Sequence, residues 1–109
     1  MAQRYDVVLD SPLGQRFGTL VWTEHSGIVQ GTLSLLGFEN PVNGQRTEKT
    51  LELTHRLRTA VSTLTCRTLA QLHGDELSGV VTSERCRMEL RGRKATERSN
   101  TQHEISAKD

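Results

Sequence analysis

The chain has 109 residues, of which 34% are hydrophobic and only four are aromatic, and its formal net charge is +1. This length fits one domain, and the small net charge excludes a general electrostatic attraction to nucleic acid or to membranes. No stretch approaches the roughly 18 apolar residues of a membrane-spanning helix.

Apolar and polar residues alternate along the three segments that precede residue 37. In the first, Tyr5, Val7 and Leu9 lie on one side, and Asp6 and Asp10 lie on the other. Successive side chains of a β-strand point to opposite faces, so a period of two predicts half-buried strands. The corresponding apolar sides of the next two segments are Leu20 and Trp22, then Val29, Leu33 and Leu35.

The stretch LLGFENPVNG, residues 35–44, is predicted to end a strand and to form a turn. Its Asn-Gly pair tolerates the positive φ of a tight turn. Phe38, Pro41 and Val42 place three apolar side chains in this turn, where polar ones are expected. They are therefore candidates for a plug at one end of a barrel, for a lid over a cavity or for a subunit contact.

Residues 53–72 carry two competing patterns. Leu53, Leu57 and Val61 approach helical spacing, and Gly74 has the character of a helix C-cap. The same segment alternates with a period of two at its start and is rich in threonine, whose branched side chain favours strands. We predict strands here, with an α+β fold as the alternative if residues 53–72 are helical.

The C-terminal part combines two more alternating segments with a basic run. Between residues 85 and 98, six basic residues stand against two acidic ones. Basic side chains on one strand face are candidates for phosphate contacts, although a charged strand face is more often simply solvated. Residues 94–109 contain only Ile105 as a large apolar residue and are predicted to be a disordered polar tail. The candidate phosphate contacts are Arg85, Arg87, Arg91, Arg93 and Lys94.

Turn signals at SPLG, HSG, NPVNG and HGD divide residues 1–93 into seven or eight short strands. Such spacing predicts an all-β domain, folded as a small antiparallel meander barrel or as a sandwich. A closed barrel would leave this small sheet without exposed edges.

The order of glycines and strand residues resembles that of small bacterial calycin-like β-barrel proteins. The shared features are YDVVLDSPLG at the start, GTL at Gly18–Leu20, a G-x-V-x-G-T-L step at Gly27–Leu33 and LSG at Leu77–Gly79. The resemblance covers about residues 4–92 and implies a meander barrel around a modest cavity. It supplies no catalytic residue. The chain lacks the lipocalin Gly-x-Trp signature at the first strand, since Trp22 lies in the second.

No arrangement of residues predicts a catalytic site, a cofactor or a metal ion, and enzymatic activity is left open. Cys66 and Cys86 are 20 residues apart with no histidine at ligand spacing, which favours free thiols over zinc ligands. His25 lies beside Ser26 in EHSG, a sequence typical of a polar turn. No glycine-rich phosphate loop is present.

These patterns predict a non-enzymatic binding or interaction module. It would hold a small apolar ligand or associate with itself, because a thin core favours a homo-oligomer. A nucleic-acid-associated protein that uses residues 85–98 is the alternative. No signal-peptide pattern is visible, so the expected location is the cytoplasm, without membrane contact. The candidate ligand or interface residues are Trp22, Leu33, Leu35, Phe38, Pro41 and Val42.

Overall fold

The computed structural model describes residues 2–95, which form eight antiparallel strands closed into a barrel. Each strand pairs with the next in the chain, and β8 closes the ring by pairing with β1. The predicted all-β meander barrel is confirmed, in its eight-stranded closed form. Of the predicted tail, Lys94 ends β8 and Ala95 follows it, and residues 96–109 lie outside the described residues. The strands are β1 (Gln3–Ser11), β2 (Gly14–His25), β3 (Ile28–Leu35), β4 (Phe38–Thr47), β5 (Thr50–Arg58), β6 (Thr63–His73), β7 (Glu76–Ser83) and β8 (Arg87–Lys94).

The side chains that alternate in the sequence point alternately into the barrel and out to its surface. The inward side chains are nearly all apolar and pack into one core. Three polar residues, Asn40, His55 and Thr68, also point inward and are buried. An eight-stranded barrel leaves an interior that side chains can fill, and here leucine and valine supply most of that filling.

The two ends of the barrel differ in their connections. At what we call the open end lie the loops β1–β2, β3–β4, β5–β6 and β7–β8. At the closed end lie the other three loops, the first residues of β1 and the last residues of β8. Near the closed end the rings of Tyr5 and Trp22 stack at a centroid distance of 5.1 Å with an interplanar angle of 8°.

The predicted turn at NPVNG is wrong, because these residues lie within β4. The connection comes earlier, at Leu36 and Gly37, whose φ angles of 59° and 83° form a tight turn between β3 and β4. Beyond this turn the alternation resumes, with Asn40 and Val42 buried and Pro41 exposed.

The pairing of β4 with β5 explains how β4 contains this proline and this glycine. The ladder between β4 and β5 begins at Val42 and His55, so Pro41 does not have to donate a backbone hydrogen bond to β5. Gly44 lies where a Cβ atom would overlap the carbonyl oxygen of Glu52. The glycine therefore serves close packing of two strands rather than a turn.

Asn40 bridges the place where β4 and β5 separate. Its Oδ1 accepts a hydrogen bond from the backbone N–H of Arg58 at 3.0 Å, and its Nδ2 donates one to the carbonyl of Leu33 at 2.9 Å. The inward amide thus supplies a partner for the N–H of Arg58 beyond the end of the β4–β5 ladder, and adds a donor to the carbonyl of Leu33.

The segment 53–72 is strand on both sides of a turn, so the helical alternative is wrong. β5 and β6 pair from Thr50 to Arg58, and the loop between them is closed by Thr59, whose Oγ1 accepts from the N–H of Ser62 at 3.0 Å. Of the threonines that favoured strands in the sequence, Thr54, Thr63 and Thr65 lie on the outer faces of β5 and β6, whereas Thr68 points inward.

Candidate functional site

A cavity of about 570 Å³ lies at the open end of the barrel, among all four loops of that end. Leu9, Leu57, Leu64 and Met88 form its inner wall, and Leu36 of the β3–β4 turn joins them. Each wall residue is an inward side chain near the open end of its strand. The cavity is therefore the unfilled top of the core and has an apolar surface.

The rim of the cavity carries two exposed apolar side chains. Leu13, in the β1–β2 turn, is 84% exposed, and Val61, in the β5–β6 loop, is 92% exposed. Both residues also line the cavity. Apolar side chains that protrude around an apolar opening are typical of binding sites for small molecules or for proteins.

The charged groups of the rim have one sign. Arg16 and Arg85 line the cavity, and no carboxylate does. The Arg16 guanidinium donates to the carbonyls of Gln15 and Leu13, at 3.2 and 3.4 Å. Neither arginine forms an ion pair within residues 2–95, so both charges are available at the opening.

His55 is held inside the barrel below this cavity. Its Nδ1 lies 3.2 Å from the carbonyl oxygen of Arg56, which can only accept, so this nitrogen carries the proton. Its Nε2 then accepts a hydrogen bond from the hydroxyl of Thr68 at 2.7 Å. Burial lowers the pKa of His55, although the bond to the carbonyl opposes that shift. The ring is a neutral, fully bonded part of the core.

The two cysteines are free thiols with different surroundings. Cys66 lies opposite His55 on the inner face, and burial raises the pKa of its thiol to about 11, with a smaller contribution from Cys86. Cys86 is half-buried and lines the open-end cavity. Within residues 2–95, no group of three or more His, Cys, Asp or Glu side chains is arranged to hold a metal ion.

The structure separates the six residues predicted as a ligand site or interface. Phe38 is half-buried on the outer face, with the Arg58 guanidinium 5.0 Å above its ring, and Pro41 is exposed beside it. None of the six lines the open-end cavity. The other four are at most 3% exposed and belong to the core: Trp22, Leu33, Leu35 and Val42.

Sequence reasoning missed the residues that do line the cavity, although a signal for them exists. Leu9, Leu57, Leu64 and Met88 are each an inward apolar residue close to one of the alternate turns of the chain. In a meander, alternate turns come to the same end of the barrel. Counting turns would therefore have collected these four residues at one opening.

The five basic residues predicted as phosphate contacts do not share one surface of the protein. Arg91 pairs with Asp10 at 3.3 Å and Arg93 with Glu76 at 3.0 Å, both on the outer face of β8. Arg85 lies in the β7–β8 turn at the cavity rim, and Lys94 is half-buried at the other end of the strand. Of the five predicted phosphate contacts, only Arg87 lies on this face without an ion pair among residues 2–95.

Residues 2–95 contain no helix with the length and hydropathy needed to cross a membrane. The closed eight-stranded meander is consistent with the calycin-like barrel that the sequence resembles, and that agreement concerns the fold alone. Comparisons of the chain with protein-family models, with curated proteins and with solved structures find no match.

Proposed function

We propose that this protein is a non-enzymatic binding module that holds a small apolar ligand in the open-end cavity. The observation that carries the proposal is an apolar volume of about 570 Å³ that opens at the barrel mouth. Ligand sites in proteins commonly measure about 300 to 1,000 Å³ and combine apolar walls with a few polar groups.

The residues that line the cavity would orient such a ligand. Its apolar body would contact Leu57, Leu64 and Met88, away from water. Any polar or anionic group on the ligand would lie at the rim, close to Arg16 and Arg85. Burial of the apolar body supplies the affinity, at roughly 25 cal/mol for each Å² removed from water.

The proposal is tested by binding of N-phenyl-1-naphthylamine, a neutral apolar dye that fluoresces on leaving water. The variant Leu64→Glu places a carboxylate in the cavity wall. Leu69→Glu is its matched control, because Leu69 lies on the same strand, 51% exposed on the outer face. Wild type and Leu69→Glu should bind the dye equally, and Leu64→Glu should lose at least about tenfold in affinity. Equal binding by all three proteins would place the dye elsewhere.

Self-association through the same rim is the second candidate function. Leu13 and Val61 are exposed and apolar in two loops on opposite sides of the cavity mouth, and burying them between two copies would remove them from water. Native mass spectrometry of protein from its own host distinguishes the candidates. A monomer that retains a reproducible extra mass supports ligand binding, whereas a bare dimer that Val61→Ser dissociates supports self-association. We also propose that the protein is located in the cytoplasm.

A further inference from the structure

A second depression lies on the outer wall of the barrel, along β5 and β6 near the open end, and encloses about 800 Å³. It forms where β5 and β6, still paired with each other, separate from the strands on either side. The ladder with β4 stops at His55 and the ladder with β7 stops at Cys66, while β5 and β6 pair as far as Arg58 and Thr63. We call this depression the outer groove.

Three arginines project into the outer groove. Arg56 and Arg58 are two residues apart on β5, about 7 Å along the strand, and Arg67 follows on β6 opposite Thr54. Thr82 lies next to Arg67 in register, and Arg87 lies next to Thr82, so the basic row continues onto β8.

This row is less neutralised than the basic run of β8. Glu39 is the one carboxylate that lines the outer groove, and Glu52 pairs with Arg67. Arg56 and Arg58 take part in no ion pair within residues 2–95. Two exposed guanidinium groups with free donors are suited to phosphate oxygens.

One end of the groove also offers flat surfaces. The guanidinium of Arg58 lies 5.0 Å above the ring of Phe38, which orients this planar group. Phe17, 71% exposed, shares a shallow hollow with Phe38 on the neighbouring wall. Proteins that bind single strands combine basic grooves with aromatic and guanidinium planes on which unpaired bases stack.

We infer that the outer groove binds single-stranded nucleic acid. Arg56 and Arg58 hold phosphates, the hydroxyls of Thr63 and Thr65 add donors, and an unpaired base stacks beside the planes of Arg58 and Phe38. A duplex keeps its bases stacked on one another and cannot use that plane. The site is separate from the open-end cavity and does not depend on a ligand there.

The test measures fluorescence anisotropy with a labelled thymidine strand of about twelve nucleotides. The variant Arg56→Gln/Arg58→Gln is compared with Arg91→Gln/Arg93→Gln, which loses the same charge from β8. Wild type and control should bind alike and weaken together from about 20 to 200 mM salt. The groove variant should lose at least about tenfold in affinity, and its salt slope should fall by about 1.4, for two lost phosphate contacts. Phe38→Leu should weaken binding with the slope unchanged.

Three results would overturn the inference. One is the absence of strand binding by wild type at the lowest salt. The second is an equal loss in the two double variants, which would indicate a general charge effect. The third is binding of the matching duplex, or of polyglutamate, as tightly as the single strand. The double variants change only exposed side chains, so their folding should resemble that of wild type.

Discussion

The closed end and the open end of this barrel are built from the same alternating strands, yet two stacked aromatic rings lie inside one end and a cavity lies inside the other. Tyr5 and Trp22 stack inside the closed end, and leucine and methionine line the open end around a cavity. The chain has four aromatic residues, and the two that point inward both lie near the closed end. Where the largest side chains lie decides which end of a small barrel is filled.

The difference between the ends implies that the closed end contributes mainly to stability and the open end mainly to binding. A packed end supplies burial and rigidity, whereas an end that lacks side-chain volume retains room for a ligand at some cost in stability. Substitutions at the closed end should therefore reduce the free energy of unfolding most. Substitutions at the open end should change binding more than folding.

The largest effect is expected for Trp22→Ala. Trp22 is 1% exposed, and its indole N–H has no hydrogen-bond partner among the described residues, so the loss is one of packing. We expect the free energy of unfolding to fall by about 3 to 5 kcal/mol. Met88→Ala, which enlarges a cavity already present, should cost less than half as much. Urea unfolding followed by circular dichroism measures both, and equal losses would contradict the contrast between the ends.

Asn40→Ala should have the next largest effect. The substitution leaves the N–H of Arg58 without its partner where β4 separates from β5, while the carbonyl of Leu33 keeps its place in the β3–β4 ladder. Unsatisfied buried groups of this kind cost about 1 to 3 kcal/mol. Asn43→Ala, on the exposed side of the same strand, is the control and should stay within about 0.5 kcal/mol of wild type. Similar unfolding midpoints for both variants would show that the Asn40 bridge is dispensable.

A pH effect should follow from His55. Burial lowers the pKa of this ring below its ordinary value of 6.5 in the folded protein. Below that value the unfolded chain binds a proton that the folded protein does not, so stability is present above pH 6.5 and falls with decreasing pH. One proton changes the free energy of unfolding by at most about 1.4 kcal/mol per pH unit.

The control for this effect is His55→Gln, which removes the titrating ring. Urea unfolding of wild type and variant between about pH 7.5 and 5 measures the difference. Wild type should lose more stability than the variant over this range. Parallel curves would mean that His55 titrates alike in the folded and unfolded chain.

The smallest effect concerns thiol reactivity. Burial raises the pKa of Cys66 to about 11, and the thiolate is the form that reacts with iodoacetamide. At neutral pH the folded protein should therefore be alkylated at Cys86, which is half-buried, much faster than at Cys66. Peptide mass spectrometry after short labelling measures the ratio, and urea should abolish the difference. Faster labelling of Cys66 in the folded protein would contradict its burial.

The alternation of side chains predicted the strands and the barrel, because each inward residue reports a local period of two. It failed where a tertiary contact overrides local preference. Asn43 and Gly44 have turn character, but Gly44 packs against Glu52 and the turn forms at Leu36 and Gly37. The candidate site could not be read from one segment, since its wall comes from four strands. Its volume also depends on the lack of large inward side chains at that end of the barrel.

The most direct test of the open-end cavity is an NMR titration with N-phenyl-1-naphthylamine. It compares the two ends within one sample, through the methyl signals of Leu57, Leu64 and Met88 and the indole signal of Trp22. We expect saturable shifts of the methyl signals of all three residues, with the indole signal unmoved. Shifts centred on the Trp22 indole, or no saturable shift at either end, would contradict the claim that the barrel mouth is an apolar binding site.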